Sequence, residues 1–299
     1  MTIRLGIVGI SDGNGHPYSW SAICNGYESK LMEDCGFPAI PRYLEAQKWP
    51  EDKLPDAEVF AIWTQSKKQS EHIAACSKIP VVCQTYGDLI GQCDGVLLAR
   101  DDAENHWNFV EPVLKAGKPI YIDKPAALTV AELDRIYQQE SFPGQVFTCS
   151  ALRYAKELEL NDQILNSTGP IHSVTGVTPK SWAKYGIHVI EPILKMLSSE
   201  DHLNSVASCG LKRDGGCCVV ANWTNGMETI FHAVGTTAAP LKLVVHGEKE
   251  SICLPFNDPF GAFRAALAEF VKGIQHSDVR SPGWFNRRAI DIVEQGLKR

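Results

Sequence analysis

The chain contains no run of about 18 consecutive apolar residues, the length that a membrane-spanning helix needs. It also has no long basic run, and its net charge is −6, so nucleic acid is not expected as its main partner. The N-terminal stretch leads straight into an apolar strand, without a charged-then-apolar leader, and we therefore expect a cytoplasmic protein with no membrane partner.

No Cys-x-x-Cys spacing occurs among the ten cysteines, and the one close pair is Cys217-Cys218. Disulfides and zinc are therefore not expected, and reduced, buried thiols are the prediction. The later histidines are not spaced as metal ligands either, and no metal site is predicted; they are His172, His202, His232 and His246.

Strand-like and helix-like segments alternate through the first half of the chain, which predicts a doubly wound parallel sheet. The predicted strands are 3–9, 58–64, 80–83, 94–99 and 118–122, and the predicted helices are 19–30, 69–78, 86–92 and 106–116. From about residue 144 strands follow one another, which predicts an open, largely antiparallel sheet. These strands are 145–152, 172–178, 206–211, 216–223, 228–234 and 241–246, with helices at 157–165, 260–275 and 286–297.

The predicted fold class is therefore α/β, with a dinucleotide-binding type of domain over residues 1–125 and an α+β domain over 126–299. The larger domain is expected to carry substrate-binding and oligomer contacts. Whether the last helices pack back on the first domain is left open.

A glycine-rich loop joins the first strand to the first helix. Its candidate cofactor-binding residues are Gly9, Ser11, Gly13, Asn14, Gly15 and His16. Glycines let backbone N–H groups approach a pyrophosphate at a helix N-terminus. The spacing is imperfect, because Ser11 and Asn14 stand where a strict G-x-G-x-x-G pattern has glycine, and an ordinary turn is the alternative.

The tip of the second predicted strand has no carboxylate for an adenine ribose, and carries Thr64, Ser66, Lys67 and Lys68 instead. Hydroxyls and lysines suit a 2′-phosphate better than a free 2′-hydroxyl. The prediction is therefore NADP or NAD, with NADP favoured, and a solvated helix start is the alternative reading.

Asp123-Lys124-Pro125 ends the apolar run Ile120–Ile122 abruptly. The charged pair is therefore expected at the C-terminal edge of a parallel sheet, where ligands bind. A lysine held there is a candidate for proton chemistry or for holding a substrate hydroxyl.

With the glycine loop, the 94–99 strand and the 116–125 segment in this order, the chain resembles the glucose-fructose oxidoreductase / inositol dehydrogenase / rhizopine catabolism (Gfo/Idh/MocA) family. That family carries Glu-Lys-Pro where this chain has Asp-Lys-Pro. The resemblance implies a Rossmann domain followed by an α/β domain, assembly into a homodimer or homotetramer, and hydride transfer between a nicotinamide cofactor and a sugar or cyclitol carbon.

The resemblance also implies residue roles. Lys124 would hold the reacting hydroxyl, Asp123 would lie near the nicotinamide ribose, and His188 would be the general acid/base, with Glu191 one helical turn later. Further candidates are Arg100 for the cofactor phosphates, with a surface ion pair to its neighbouring aspartates as the alternative, and Lys184, Tyr185, Tyr154 and Arg153 for the substrate.

Lys184 departs from the family pattern, because several members have an aspartate four residues before the histidine. This cation points to an anionic substrate, such as a sugar acid or nucleotide sugar, or alternatively to altered or lost catalysis. Three hypotheses follow: a sugar dehydrogenase, a redox-neutral epimerase or glycosidase that uses NAD transiently, and a non-catalytic dinucleotide sensor.

Overall fold

A parallel six-stranded sheet forms the centre of the N-terminal unit in the computed structural model, which describes residues 2–298. Its strands are β1 (Ile3–Gly9), β2 (Ala57–Thr64), β3 (Val81–Val82), β4 (Gly95–Leu98), β5 (Ile120–Ile122) and β6 (Val146–Thr148). Their order in the sheet is β3-β2-β1-β4-β5-β6, and every neighbouring pair is parallel. The strand order reverses between β1 and β4, which in such sheets is where ligands bind.

A mixed six-stranded sheet forms the centre of the second unit. Its strands are β7 (Ile171–Thr178), β8 (Leu203–Ser208), β9 (Cys217–Trp223), β10 (Glu228–Ala233), β11 (Lys242–Gly247) and β12 (Ser251–Pro255). Their order is β12-β11-β7-β10-β9-β8, and all neighbours are antiparallel except β7 and β10. The predicted fold class is confirmed.

The helices of the chain are α1 (His16–Asn25), α2 (Ser29–Met32), α3 (Ala39–Glu45), α4 (Lys67–Cys76), α5 (Tyr86–Gln92), α6 (His106–Lys115), α7 (Val130–Tyr137), α8 (Asp162–Thr168), α9 (Trp182–Tyr185), α10 (Ile187–Leu194), α11 (Pro259–His276) and α12 (Gly283–Leu297). Unit 1 comprises the residues up to Ala126, together with Asp134–Cys149 and Phe263–Gly283. Unit 2 comprises Ala127–Leu133, Ser150–Ala262 and the residues from Trp284 onward. Unit 1 therefore includes two segments that follow residue 125 in the chain.

Burial explains why the strands of the two sheets have different patterns of apolar residues in the sequence. Strands β4 and β5 are buried along their whole length, so they are continuous apolar runs. Strand β10 alternates half-buried and buried residues, as a strand with one packed face does.

Helix α10 packs closely on one face of the second sheet. A Cβ built on Gly176 of β7 would lie 2.7 Å from Cβ of Val189, so only glycine lets the helix approach the strand this closely. Every residue of α10 is buried, although the helix contains both His188 and Glu191. The fold therefore places two ionisable side chains in an apolar setting.

Several predicted boundaries are wrong in informative ways. Strand β6 pairs in parallel with β5. The first sheet therefore continues past residue 144, where the sequence predicts the start of the antiparallel sheet. The helix predicted over 19–30 begins earlier, at His16, because Pro17 suits a first helical turn. It also ends earlier, at Asn25. The predicted helix 157–165 is a 3₁₀ turn at Lys156–Leu158 followed by α8. The predicted strand 206–211 lies about three residues earlier, as β8.

None of the ten cysteines, all of which lie within residues 2–298, forms a disulfide, and seven of them are buried. The prediction of buried thiols is wrong for Cys209 and Cys253, which are exposed. Among residues 2–298, no helix combines the length and the apolar character that crossing a membrane requires.

Candidate active site

Lys124 lies at the carboxyl edge of the parallel sheet, directly after β5, and is 5% exposed. Its Nζ is 3.8 Å from Oδ2 of Asp101, which follows the neighbouring strand β4. Because parallel neighbours end at the same edge, residues 101 and 124 meet although they are far apart in the chain. The lysine is therefore part of a buried ion pair.

Asp123 is buried and accepts several hydrogen bonds from the loop after β1. Its Oδ2 lies 2.8 Å from Nδ2 of Asn14 and 2.6 Å from Nδ1 of His16, and its Oδ1 accepts the N–H of Lys124 at 2.8 Å. Burial opposes ionisation of this carboxyl, but the charges and hydrogen bonds of its neighbours outweigh burial and lower its pKa to about 2. Asp123 is therefore an anion at neutral pH.

Ser11 makes a second link between the same loop and the strand ends. Its Oγ donates to Oδ1 of Asp101 at 2.8 Å and accepts the N–H of Asp101 at 3.0 Å. Ser11 and Asn14 are the two residues that interrupt the glycine pattern, and each is bonded to a strand-end carboxylate, Asp101 or Asp123. The departures from glycine thus have a structural reason.

The loop retains groups that fit a dinucleotide pyrophosphate. Gly13 has φ +74, and a Cβ there would meet nothing within 4 Å, so one side of the loop is open. Within residues 2–298, the N–H groups of Asp12, Gly13 and Gly15 donate no hydrogen bond. They lie at the start of α1 and beside the switch between β1 and β4, where phosphates bind in this type of sheet.

Other features of the loop serve its internal packing. The N–H of His16 is bonded to Oδ1 of Asn14 at 2.8 Å, and the next residue is Pro17, which has no N–H. A Cβ on Gly9 would lie 2.6 Å from Cγ of Pro17, and a Cβ on Gly15 would lie 2.7 Å from the Phe37 ring. Both glycines are therefore required by packing, whether or not they contact a cofactor.

Arg100 and Gln65 brace the loop from the neighbouring strand ends. Arg100 pairs with Asp102 through Nε and Nη2, at 2.9 and 2.5 Å, and its Nη1 donates to the carbonyl of Ile10 at 3.2 Å. Oε1 of Gln65 accepts the N–H of Ile10 at 3.1 Å. The ion pair kept as the alternative for Arg100 is thus present, although it is buried, and Gln65 is a loop contact that the sequence did not reveal.

The hydroxyls at the tip of β2 are already bonded. Oγ1 of Thr64 donates to the carbonyl of Ser66 at 2.8 Å, and Ser66 caps α4 by accepting the N–H of Gln69 at 3.4 Å. Lys67 is exposed and lies 3.8 Å from Glu71 one turn along the same helix. An exposed pair of this kind contributes little, so the Lys67 ammonium can still reach a ligand phosphate.

His188 lies in unit 2 and is 9% exposed. Its Nδ1 is 2.7 Å from Oγ of Ser150, whose N–H donates to Oε2 of Glu191 at 2.7 Å. Ser150 is a partner that the sequence did not reveal. Ser150 orients the imidazole in this chain, which lacks the upstream aspartate that several members of the resembled family carry.

Glu191 and Arg153 form a buried ion pair behind His188. Nε of Arg153 lies 2.9 Å from Oε2 of Glu191, Nη2 donates to Oδ1 of Asn286 at 2.7 Å, and the guanidinium lies 4.3 Å from the Phe285 ring centre. Burial raises the pKa of Glu191 above its usual value, and the Arg153 charge only partly offsets this. Two of the guanidinium nitrogens predicted to bind substrate are thus engaged within the unit.

The predicted substrate residues Tyr185, Lys184 and Tyr154 lie in the same unit as His188. The Tyr185 ring packs edge-on against the His188 ring, with centres 5.1 Å apart, and its hydroxyl accepts from Nζ of Lys180 at 2.5 Å. Lys184 is half-buried in α9. Tyr154 is half-buried in a 3₁₀ turn, with Nζ of Lys195 5.9 Å from its ring centre. Lys180 was not predicted from the sequence.

The fold is shared with solved dehydrogenase structures. Scyllo-inositol dehydrogenase from Lactobacillus casei is 15% identical, with a TM-score of 0.73 over 99% of this chain and 95% of that chain. Myo-inositol dehydrogenase from the same organism, in complex with NAD(H) and myo-inositol, is 15% identical, with a TM-score of 0.70 over 99% and 94%. UDP-N-acetylglucosamine 3-dehydrogenase GnnA from Acidithiobacillus ferrooxidans is 14% identical, with a TM-score of 0.68 over 99% and 97%. At these identities the likeness establishes the fold.

No curated protein sequence matches this chain significantly. Residues 35–149, however, match the family model GFO_IDH_MocA, described as an oxidoreductase family with an NAD-binding Rossmann fold. This segment contains the strand ends that carry Asp101, Asp123 and Lys124. The resemblance to the Gfo/Idh/MocA family is therefore confirmed over residues 35–149, the segment that matches the model of this family of NAD-binding oxidoreductases.

Proposed function

We propose that this protein is a dehydrogenase or reductase that moves a hydride between NAD(P) and a CH–OH carbon of a sugar-like substrate. The burial and position of Lys124 support the proposal most strongly. This lysine is buried at the carboxyl edge of the parallel sheet, in the same unit as the open N–H groups of the glycine loop. A lysine without a chemical role could stay solvated at the protein surface. The burial of Lys124 at this edge of the sheet is therefore better explained by a chemical role.

The loop would hold the cofactor through the N–H groups of Asp12, Gly13 and Gly15, and the bound nicotinamide would accept or donate the hydride. Lys124 would bind the reacting oxygen and keep its proton within hydrogen-bond reach. The ammonium carries three donors, so it can bind Asp101 and a substrate oxygen together.

His188 is proposed as a general acid/base of the reaction. An imidazole changes its charge near neutral pH and can hold a proton at either nitrogen. With Nδ1 bonded to Ser150, Nε2 is the nitrogen proposed to exchange the proton. Glu191 supports this arrangement by fixing the backbone of Ser150 rather than by touching the imidazole.

The substrate class is proposed to be a polyhydroxylated ring with an anionic group. The solved dehydrogenases named above include enzymes of inositols and of a nucleotide sugar. In this chain Tyr185, which packs against His188, is bonded to Lys180, and Lys184 precedes it in α9; these two cations favour an anionic sugar over a neutral cyclitol. Tyr185 and Tyr154 offer aromatic faces suited to a sugar ring.

Binding and turnover measurements test the proposal. Calorimetric titration with NADH and NADPH is expected to give binding, with NADPH the tighter ligand if Lys67 and Lys68 contact a 2′-phosphate. Turnover of inositols, neutral sugars, sugar acids and nucleotide sugars is then followed by the absorbance of the reduced nicotinamide. The expected result is net NAD(P)H change with a sugar acid or nucleotide sugar.

Each rival function predicts a different outcome. Product formation without net NAD(P)H change would identify a redox-neutral epimerase or glycosidase. Cofactor binding with no turnover of any of these substrates would identify a sensor, and no binding of either dinucleotide would contradict the proposal altogether. Light scattering of the purified protein checks the proposed homodimer or homotetramer.

A further inference from the structure

Three buried side chains of unit 1 form a continuous chain from the glycine loop to Lys124. Ser11 and Asp101 are each 7% exposed, and Lys124 is 5% exposed. Oδ1 of Asp101 is bonded to Ser11, and Oδ2 lies 3.8 Å from Nζ of Lys124. The two oxygens of one carboxylate thus face different partners.

Asp101 is better placed than Asp123 to serve as the counter-charge of the Lys124 ammonium. Oδ2 of Asp123 is shared by Asn14 and His16, and its Oδ1 accepts the backbone N–H of Lys124. The charge of Asp123 therefore acts most strongly on His16 and less strongly on the Lys124 ammonium. Asp101 directs one oxygen at the lysine side chain itself.

Ser11 fixes the direction of the Asp101 carboxylate. Its hydroxyl donates to Oδ1, and the N–H of Asp101 returns a bond to the same hydroxyl oxygen at 3.0 Å. This closed pair leaves the carboxylate little freedom to rotate. A glycine in the same place could not make either bond.

Resting on the proposed function, we infer that Asp101 is a positioning residue that holds the Lys124 ammonium, and that Ser11 couples this pair to the cofactor-binding loop. Asp101 supplies, from the end of β4, a carboxylate partner for the lysine of the reaction. Because Ser11 belongs to the loop whose N–H groups face the proposed pyrophosphate, a change in the loop alters the orientation of Asp101 and hence of Lys124.

Chemical labelling tests the ion pair without any substrate. The purified protein is treated with limiting acetic anhydride at about pH 8, where a small neutral fraction of a lysine reacts, and acetylation of Lys124 is compared with that of Lys118 by mass spectrometry. Lys118 lies just before β5 and serves as the internal reference for local unfolding. Glu104→Gln, which removes an exposed carboxylate three residues from Asp101, is the matched control.

Asp101→Asn is expected to raise the Lys124/Lys118 labelling ratio by about threefold or more, because the ammonium loses its counter-charge. Glu104→Gln is expected to leave the ratio unchanged. Ser11→Ala, which keeps the carboxylate but frees its orientation, is expected to raise the ratio by a smaller factor, and it tests the inference if Asp101→Asn fails to fold. An unchanged ratio in the folded variants overturns the inference.

A double-mutant cycle on kcat tests the coupling. Asp101→Asn is expected to lower kcat by about 10- to 100-fold with KM nearly unchanged, and Ser11→Ala by a smaller factor. If Ser11 acts through Asp101, the double variant falls no further than Asp101→Asn, whereas independent effects multiply. Multiplicative losses would overturn the coupling.

The two proposals fail in distinguishable ways. Unchanged turnover in Lys124→Met contradicts the proposed function. Loss of turnover in Lys124→Met, together with normal labelling and normal kcat in Asp101→Asn, contradicts only the role of Asp101.

Discussion

Oγ of Ser150 lies 2.7 Å from Nδ1 of His188, and both side chains are buried in unit 2. The N–H of Ser150 is bonded in turn to Oε2 of Glu191 at 2.7 Å. A serine whose backbone is fixed by a buried carboxylate therefore orients the imidazole, although Lys184 stands where several members of the resembled family have an aspartate. The Lys184 departure removes one orienting group without leaving the histidine unsupported.

Replacing Ser150 with alanine is expected to lower kcat by about tenfold, because one hydrogen bond that orients the imidazole is lost. KM is expected to stay within about threefold, since Ser150 is not proposed to touch the substrate. Steady-state kinetics measure both constants. Ser205→Ala, on exposed β8, is the control, and equal kinetics for the two variants would show that Ser150 has no role.

Replacing His188 with glutamine is expected to lower kcat by about 100-fold or more, the usual contribution of a general acid/base. Cofactor affinity, measured by calorimetry, is expected to stay within about threefold, because no His188 contact to the cofactor is proposed. His246→Gln is the control, since His246 lies in β11 and bonds to Ser251 of the neighbouring strand β12. Retained turnover in His188→Gln would rule out the proton-transfer role.

Much of the fold could be predicted from the sequence, because buried parallel strands are short apolar runs between helices. Strand β12 was missed because only one of its five residues, Leu254, is buried, so no alternation appears. Strand β6 was assigned to the wrong sheet, because pairing with β5 is a tertiary property that a local pattern does not contain.

From the residues alone, the candidate site could be predicted at the strand ends and in the glycine loop, whereas His188 was implied by the family resemblance. Lys124 could be identified because a charged residue directly after an apolar strand is expected at the carboxyl edge of a parallel sheet. The partners Asp101 and Ser150 were not identified, because they are paired across distance in the chain: Ser11 and Asp101 are 90 residues apart, and Ser150 and His188 are 38 apart. A single sequence does not reveal such pairs.

Asp123 is expected to make stability depend on pH in acid. Its pKa in the folded protein is lowered from 3.8 to about 2, so its stabilising contribution is complete above the unfolded value and is lost as the pH falls through about 2. The full contribution is about 2 kcal/mol.

Urea unfolding from pH 6 downward measures this contribution. The free energy of unfolding of the wild type is expected to fall by about 2 kcal/mol more than that of Asp123→Asn over the acid range. Glu191, whose raised pKa acts in the opposite direction, is common to both proteins and does not affect the comparison. Asp12→Asn, which removes an exposed carboxylate of the same loop, controls for the loss of one charge. Parallel pH curves for wild type and Asp123→Asn would contradict the assignment.

Lys67 is expected to contribute to a preference for NADPH over NADH. Lys67→Glu replaces an exposed cation with an anion at the tip of β2 and should weaken NADPH binding by about tenfold, with little change for NADH. Calorimetric Kd values for both cofactors check this. Lys115→Glu, at an exposed position of α6, is the charge-matched control, and an unchanged NADPH/NADH ratio would favour the reading of this segment as a solvated helix start.

The proposed role of Lys124 in handling the proton of an NAD(P)-dependent reaction can be measured through kcat of Lys124→Met. The variant keeps the length and apolar stem of lysine but removes the ammonium. With cofactor affinity retained within about threefold, kcat is expected to fall by about 100-fold or more. A folded, cofactor-binding Lys124→Met variant that turns over at the wild-type rate would contradict the account.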